Sequence, residues 1–342
     1  MSAIAILLIL VIAMAASAAL LALLARILPP DFLAAGINSR SNHTQPARQI
    51  GGLAVMPAAL AAMALSLVWV TEPGPIMAAM AGTALLLAVG YADDRWHLSV
   101  GPRLLCQVAA AILFVVMLGP EARIFPGVLP LVVERAIAAF VLVWFINLTN
   151  FMDGLDLMVV AGIGVPHAVL AILGMLSLID TTTAAIAAAL AGAVIGFAPR
   201  NRPPAGTFLG DSGSLGAGYL TGIVVILLAC ANPLAALLPF LFFLADSTSV
   251  LLLRLARREN VLQAHSAHAY QLARRSGRSV YWVTSRVALL SLCLGALAAI
   301  ALARGNPIVN LIAVAAGLGA TALLIVVMRG ATRERQARTG VK

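Results

Sequence analysis

"AIAAFVLVWFINLTNFMDGLDLMVV", residues 136–160, passes from one apolar run into another across Asn147, Asn150, Asp153 and Asp156. The flanks have the character of bilayer-crossing helices, and the interruption between them is about the length of a short loop. Only 13 of the 342 residues are acidic. Two carboxylates between such flanks therefore need a chemical reason, because desolvating them is costly unless they pair, solvate or bind a cation.

The same pattern repeats along the chain. Hydrophobic residues make up 62% and charged residues 10%, against about 25% charged in soluble domains. This composition excludes a soluble globular enzyme and predicts an all-α, polytopic membrane helical bundle. Apolar runs of bilayer length fall near 3–26, 51–70, 75–91, 103–119, 129–147, 157–178, 183–198, 214–231, 233–253, 281–303 and 307–328. That makes eleven runs and a bundle of about 10–11 transmembrane helices. Breakers such as "EPGP" at 72–75 and "NP" at 232–233 and 306–307 stand between them. The loops are short, so residues 1–342 read as a single integral membrane domain. The first run is long for a signal-peptide core and is preceded by no Lys or Arg, so it reads as a retained anchor.

Basic residues set the orientation. Eighteen Lys and Arg fall in the odd-numbered connections and the C-terminal tail, three in the opposite loops (Arg123, Arg135, Arg304), and Arg286 lies inside a predicted span. By the positive-inside rule the odd connections face the cytoplasm and the N-terminus faces out. The net charge of +9 thus belongs to one membrane face. It suits anionic headgroups and a polyanionic substrate better than nucleic acid, which is not expected as a partner.

Three of those cytoplasmic connections carry carboxylates: Asp93 and Asp94 in "GYADDRWHLS", Asp153 and Asp156 in "NFMDGLD", and Asp211 in "FLGDSGS". Five carboxylates at one membrane depth could hold Mg²⁺, which takes one or two carboxylates together with substrate phosphate oxygens. Each motif also has a plainer reading. "DD" could be a solvated helix end, and "GDSGS" an N-cap rather than an anion site at a helix N-terminus. A fourth cytoplasmic segment, "LARRENVLQAHSAHAYQLARRSGRS", holds His265 and His268 among arginines. No third zinc ligand lies nearby, which favours phosphate contact or a solvated loop. Residues 39–57 add His43, Arg48 and a Gly-Gly pair on the same face. Asp246 falls inside the ninth run, where an ionisable group is either functional or paired with a base from a neighbouring helix. Cys106, Cys230 and Cys293 stand singly and read as small core residues; His167 and Arg286 read as packing or snorkelling groups.

"ARQIGGLAV", "GYADDRWHLS", "NFMDGLD", "FLGDSGS", "LADSTSVLLLR" and "AHSAHAYQ", in this order between spans, resemble the polyprenyl-phosphate N-acetylhexosamine-1-phosphate transferases, relatives of the phospho-MurNAc-pentapeptide translocase. The likeness covers roughly residues 40 to 275, and its His-Ala-Tyr-Gln ending is most similar to the bacterial branch that initiates O-antigen. The resemblance implies transfer of an N-acetylated sugar-1-phosphate from a UDP-sugar to undecaprenyl phosphate with release of UMP. It also implies a bacterial inner-membrane location with the site facing the cytoplasm, Mg²⁺ (or Mn²⁺) as cofactor, and room for a homodimer. By the same match Asp211 is the metal ligand, Asp93 positions the lipid phosphate with support from Asp94, and His265 and His268 contact phosphate. Asn150, Asp153 and Asp156 belong to the nucleotide-sugar side, and Arg103, His43 and Arg48 are further substrate contacts. A lipid phosphate with a second pKa near 6 is already a nucleophile at neutral pH, so alignment and charge neutralisation carry most of such a reaction.

Two departures stand out. Leu157 and Met158 follow Asp156 where the family pattern has Gly and a small residue, and Ser266 stands where the related branch has Arg. They point to altered sugar choice, altered nucleotide geometry or an inactive member. Two other classes compete: a transporter, which should carry its ionisable groups near the midplane, and a CDP-alcohol phosphotransferase, whose Ala-Arg step after the first Asp-Gly "DGLDLMVV" lacks.

Overall fold

A computed structural model describes residues 1–34, 47–260 and 267–339, with side chains to residue 330. The long helices are α1 (Ala3–Ile27), α2 (Gly52–Ser66), α3 (Pro73–Trp96), α4 (Val100–Met117), α5 (Leu131–Met152), α6 (Val165–Met175) and α7 (Thr181–Phe197). They continue with α8 (Asp211–Ala231), the short α9 (Pro233–Ala236), α10 (Leu241–Ala256), α11 (Ala269–Arg275), α12 (Val280–Arg304) and α13 (Pro307–Thr339). Among the described residues there is no extended strand, only isolated bridges pairing Arg48 with Ala34 and Thr207. Ten helical segments among the described residues are long and apolar enough to cross a membrane, and the chain is a polytopic helical bundle.

The predicted sixth span, 157–178, is shorter than expected. A π-helical turn, Val160–Gly164, leads into α6, and the apolar helix covers only Val160–Met175. Its first residues are spent on a turn, because Leu157 adopts a left-handed backbone, φ 61°, which breaks helical continuity with the loop before it.

α8 is the axis of the bundle and is almost wholly buried. Its small residues permit close approach to its neighbours. A Cβ on Gly90 of α3 would lie 2.3 Å from the Asp211 carbonyl oxygen, so the last turns of α3 and the first turn of α8 touch backbone to backbone. The segment before α2 lies alongside the segment before α8: the amides of Phe208, Gly51 and Gly52 donate to Arg48, Phe208 and Leu209 oxygens at 2.9, 2.9 and 2.7 Å. These contacts bring the first, third and seventh connections to one end of the bundle.

One minor expectation changes and another holds. None of the cysteines is buried; Cys106 and Cys230 are half-buried and Cys293 is exposed on the outer face. His167 is buried, as a packing group would be, with Nδ1 2.8 Å from the Ile163 oxygen.

Candidate active site

Asp93 and Asp94 close the last turns of α3 and face different partners. Asp93 pairs with Arg103 at the start of α4 and accepts from the Leu98 amide at 2.7 Å. The same Arg103 nitrogen reaches Asp211 at 3.3 Å, so one guanidinium bridges two carboxylates. Asn150, in the last turn of α5, donates to Asp211 at 2.6 Å and to Ser214 at 3.0 Å. Three motifs remote in sequence thus meet at Asp211.

Asp94 serves the backbone. Its two carboxylate oxygens accept from the amides of Asp211 (2.8 Å) and Ser212 (2.9 Å), satisfying donors that a helix start leaves unpaired. The cap of α8 therefore comes from α3 rather than from the Asp and Ser of "GDSGS" themselves. Gly210 makes this approach geometrically allowed. Its φ is 75°, and a Cβ there would stand 2.8 Å from an Asp94 oxygen.

The "NFMDGLD" loop forms the next wall. Asp153 is half-buried, and burial first, then the negative charges of Asp211, Asp94 and Asp156, push its carboxyl well above the usual range. Asp156 accepts from the Ala205 amide at 3.3 Å. The Leu157 amide donates to Asn201 at 2.7 Å, and Asn201 in turn donates to the Thr207 carbonyl oxygen at 3.0 Å. The loop is also tied to the His-Ala-Tyr-Gln helix, where the Tyr270 hydroxyl donates to the Phe151 carbonyl oxygen at 3.0 Å. A Cβ on Gly154 would meet that hydroxyl at 2.4 Å. Burial pushes the Tyr270 phenol upward, so it remains a donor.

His268 is buried at the N-terminal end of α11, with its ring stacked on Tyr270. Asp246 of α10 accepts from the Ala269 amide at 3.0 Å and lies 3.7 Å from His268 Nδ1. Arg329 of α13 stands 3.6 Å from the other Asp246 oxygen and donates to Ser249 at 3.1 Å. Asp246 is thus paired with a base from a neighbouring helix, one of the two roles open to it.

Arg48 is placed apart from this cluster. Its guanidinium donates to the carbonyl oxygens of Ala25 (3.2 Å) and Leu28 (3.1 Å) at the end of α1, which makes it a helix C-terminal partner. His43, His265 and Ser266 lie outside the described residues.

Beside the carboxylates a cleft of about 240 Å³ runs between α4, α5 and α10. Arg103, Asn150 and His268 stand along it with Leu104, Phe140, Val143 and Trp144. Phe140 is 70% exposed, so the apolar side of the cleft opens onto the outer face of the bundle. Gln107 and Asn147 line it too, with Asn147 donating to Gln107 at 2.7 Å. The sequence reading noted Asn147 in its opening stretch without giving it a role and passed over Gln107. Their signal was spacing: Gln107 is one helical turn beyond Arg103 and Asn147 one turn before Asn150, on shared faces. Arg329 and Asn201 carried no such signal, since each acts through a contact distant in sequence.

Among the described residues no three His, Cys, Asp or Glu side chains form a ready-made metal cage. The donor set is nevertheless of hard carboxylate oxygens. Asp153 is destabilised by three negative neighbours, while Arg103 compensates only Asp93 and Asp211. Such a surplus fits a divalent ion held by one or two carboxylates and completed by phosphate oxygens.

Residues 76–229 match the model of glycosyl transferase family 4. A decaprenyl-phosphate N-acetylglucosaminephosphotransferase of Mycolicibacterium smegmatis is 34% identical over 206 residues, 54% of this chain and 50% of that relative. A phospho-N-acetylmuramoyl-pentapeptide-transferase of Synechococcus elongatus is 35% identical over 254 residues, 67% of this chain and 66% of that relative. A second one, of Synechocystis, is 32% identical over 222 residues, 59% and 58% of the two chains. The chain therefore spans about half to two thirds of the length of these curated relatives.

Proposed function

We propose, with the chain's membership of glycosyl transferase family 4 as premise, that it transfers an N-acetylated sugar-1-phosphate from a UDP-sugar to undecaprenyl phosphate. UMP leaves, and a lipid-linked surface glycan such as O-antigen is begun. The protein works in the bacterial inner membrane with its site on the cytoplasmic face. The observation that carries this reading is the cleft, apolar along Leu104, Phe140 and Trp144 and polar at Arg103, Asn150 and His268. A prenyl chain matches the first surface and a phosphate monoester the second. This pairing of surfaces supports a lipid phosphate over a solute and so favours a transferase over a transporter.

Arg103, already shared by Asp93 and Asp211, holds the acceptor phosphate near the carboxylates and offsets its charge. Asp93 fixes that guanidinium. His268, oriented by Asp246 and the α11 backbone, gives a second phosphate contact. Asp153 and Asp156 line the side from which the nucleotide-sugar is held. Mg²⁺ would be held by Asp211 with a neighbouring carboxylate, and would supply neutralisation of the phosphate oxygens and of the departing UMP.

The test is an incubation of membranes carrying the protein with undecaprenyl phosphate, Mg²⁺ and a panel of UDP-N-acetyl sugars, following UMP release and lipid-linked product. Product is expected with at least one sugar, none after chelation, and a loss of about 100-fold or more for Asp211→Asn, the scale of removing one preorganised electrostatic group. Undiminished turnover in that variant would remove Asp211 from the metal site. Solute uptake without UMP release would replace the transferase reading.

A further inference from the structure

The cytoplasmic end of α12 carries an arginine where a lipid-facing helix should not place one. α12 turns Val283, Val287, Leu290 and Leu294 into the bundle and Tyr281, Leu289 and Leu292 outward, at 54, 62 and 50% exposure. Arg286 lies on that outer face, six residues after the first residue of the helix, or about 9 Å along it. A guanidinium exposed to acyl chains is costly unless it reaches the interface or finds an anion. Arg286 reaches back: it donates to the Trp282 carbonyl oxygen at 3.1 Å, and its Cζ lies 3.9 Å from the Trp282 ring centroid. Among the described residues it forms no ion pair. Arg278, one turn before Trp282, brings a second guanidinium to 5.1 Å from the same centroid.

Two cations share one indole, then, at the edge of the bilayer. The ring attracts both, yet does not neutralise Arg286, and the planar donor fork of a guanidinium suits phosphate oxygens. Tyr281 beside them is a residue type that settles at headgroup level. We propose that Arg278, Trp282 and Arg286 form a binding site for the phosphate of an anionic phospholipid in the cytoplasmic leaflet. Charge complementarity selects this occupant: the site offers two positive groups and, among the described residues, no carboxylate to Arg286, and a net-negative headgroup complements it where a zwitterionic one brings its own cation. The bound lipid would sit below the turn joining α11 to α12, next to the helix that carries His268. This site is independent of the reaction proposed above.

The full chain is placed in nanodiscs of equimolar phosphatidylglycerol and phosphatidylcholine, with brominated acyl chains on one lipid or the other. Subtracting the spectrum of Trp282→Phe isolates the Trp282 emission. Brominated phosphatidylglycerol is expected to quench it more strongly than brominated phosphatidylcholine, and Arg278→Ala with Arg286→Ala should equalise the two. Native mass spectrometry should show retained phosphatidylglycerol weakened about fivefold for each guanidinium removed, while Arg304→Ala, at the other end of α12, retains it. Equal quenching by both lipids in the parent protein overturns the proposal. So does no quenching by either, which would mean that a second copy of the chain covers this face.

Discussion

Leu157 sits in a left-handed backbone conformation that its side chain disfavours. It holds φ at 61°, a region that costs an L-residue roughly 1–2 kcal/mol, because the Asn201 carboxamide fixes its amide. Glycine, which the family pattern has here, avoids that cost. Leu157→Gly should be at least as stable as the parent in detergent unfolding, whereas Leu157→Val, branched at Cβ, should lose about 1 kcal/mol or more. Asp153 sets a different dependence. Its pKa is raised, so the folded state favours the protonated form, and the stability this contributes is complete below the ordinary carboxylate value near 3.9. That stability is lost as pH rises through the displaced value. In chelator, the melting temperature should therefore fall with rising pH over that window, and Asp153→Asn should flatten the fall. An unchanged slope in the variant would place the titration elsewhere.

At the scale of elements, the site depends on how closely α3 and α8 approach. Gly90→Ala places a methyl 2.3 Å from the Asp211 carbonyl oxygen and 2.5 Å from the Ser212 nitrogen, so the start of α8 must move. Overpacking of this kind costs about 1–3 kcal/mol. It also shifts Asp211 from Arg103 and Asn150, so under the proposed reaction UMP release should fall by more than the lost stability explains. Most helices were legible because a span needs an unbroken apolar run, and "EPGP" or "NP" ends one visibly. The sixth was not, because the turn at Leu157 and the π-helical segment after it use apolar residues that look helical in sequence. The meeting of Asp93, Asp211 and Asn150 was foreseeable from depth alone. The division of labour within "DD" was not: which carboxylate caps α8 and which pairs with Arg103 depends on helix rotation, which composition does not record. The contact of Arg48 with the end of α1 was hidden for a related reason, since a basic residue near a glycine pair looks alike whether it faces a ligand or a helix end.

At the scale of the whole molecule, the arginine bias and the clustered motifs make one prediction. Single cysteines introduced at Ser99 or Ser276, on a background lacking Cys106, Cys230 and Cys293, should react with an impermeant maleimide only when the cytoplasmic side is open. A cysteine at Gly127, between α4 and α5, should react from outside. The reverse pattern would invert the topology. A consequence of another kind follows from the cleft. Phe140 and Leu104, exposed at 70 and 44%, line a cleft that also holds Arg103, so under the proposed reaction a prenyl chain would enter sideways from the surrounding leaflet without dissolving in water. For that substrate, concentration is a fraction of a two-dimensional fluid. Adding inert lipid should then slow the protein at constant total substrate, whereas adding buffer should not, and saturation by a prenyl carrier would be measured per leaflet area rather than per litre.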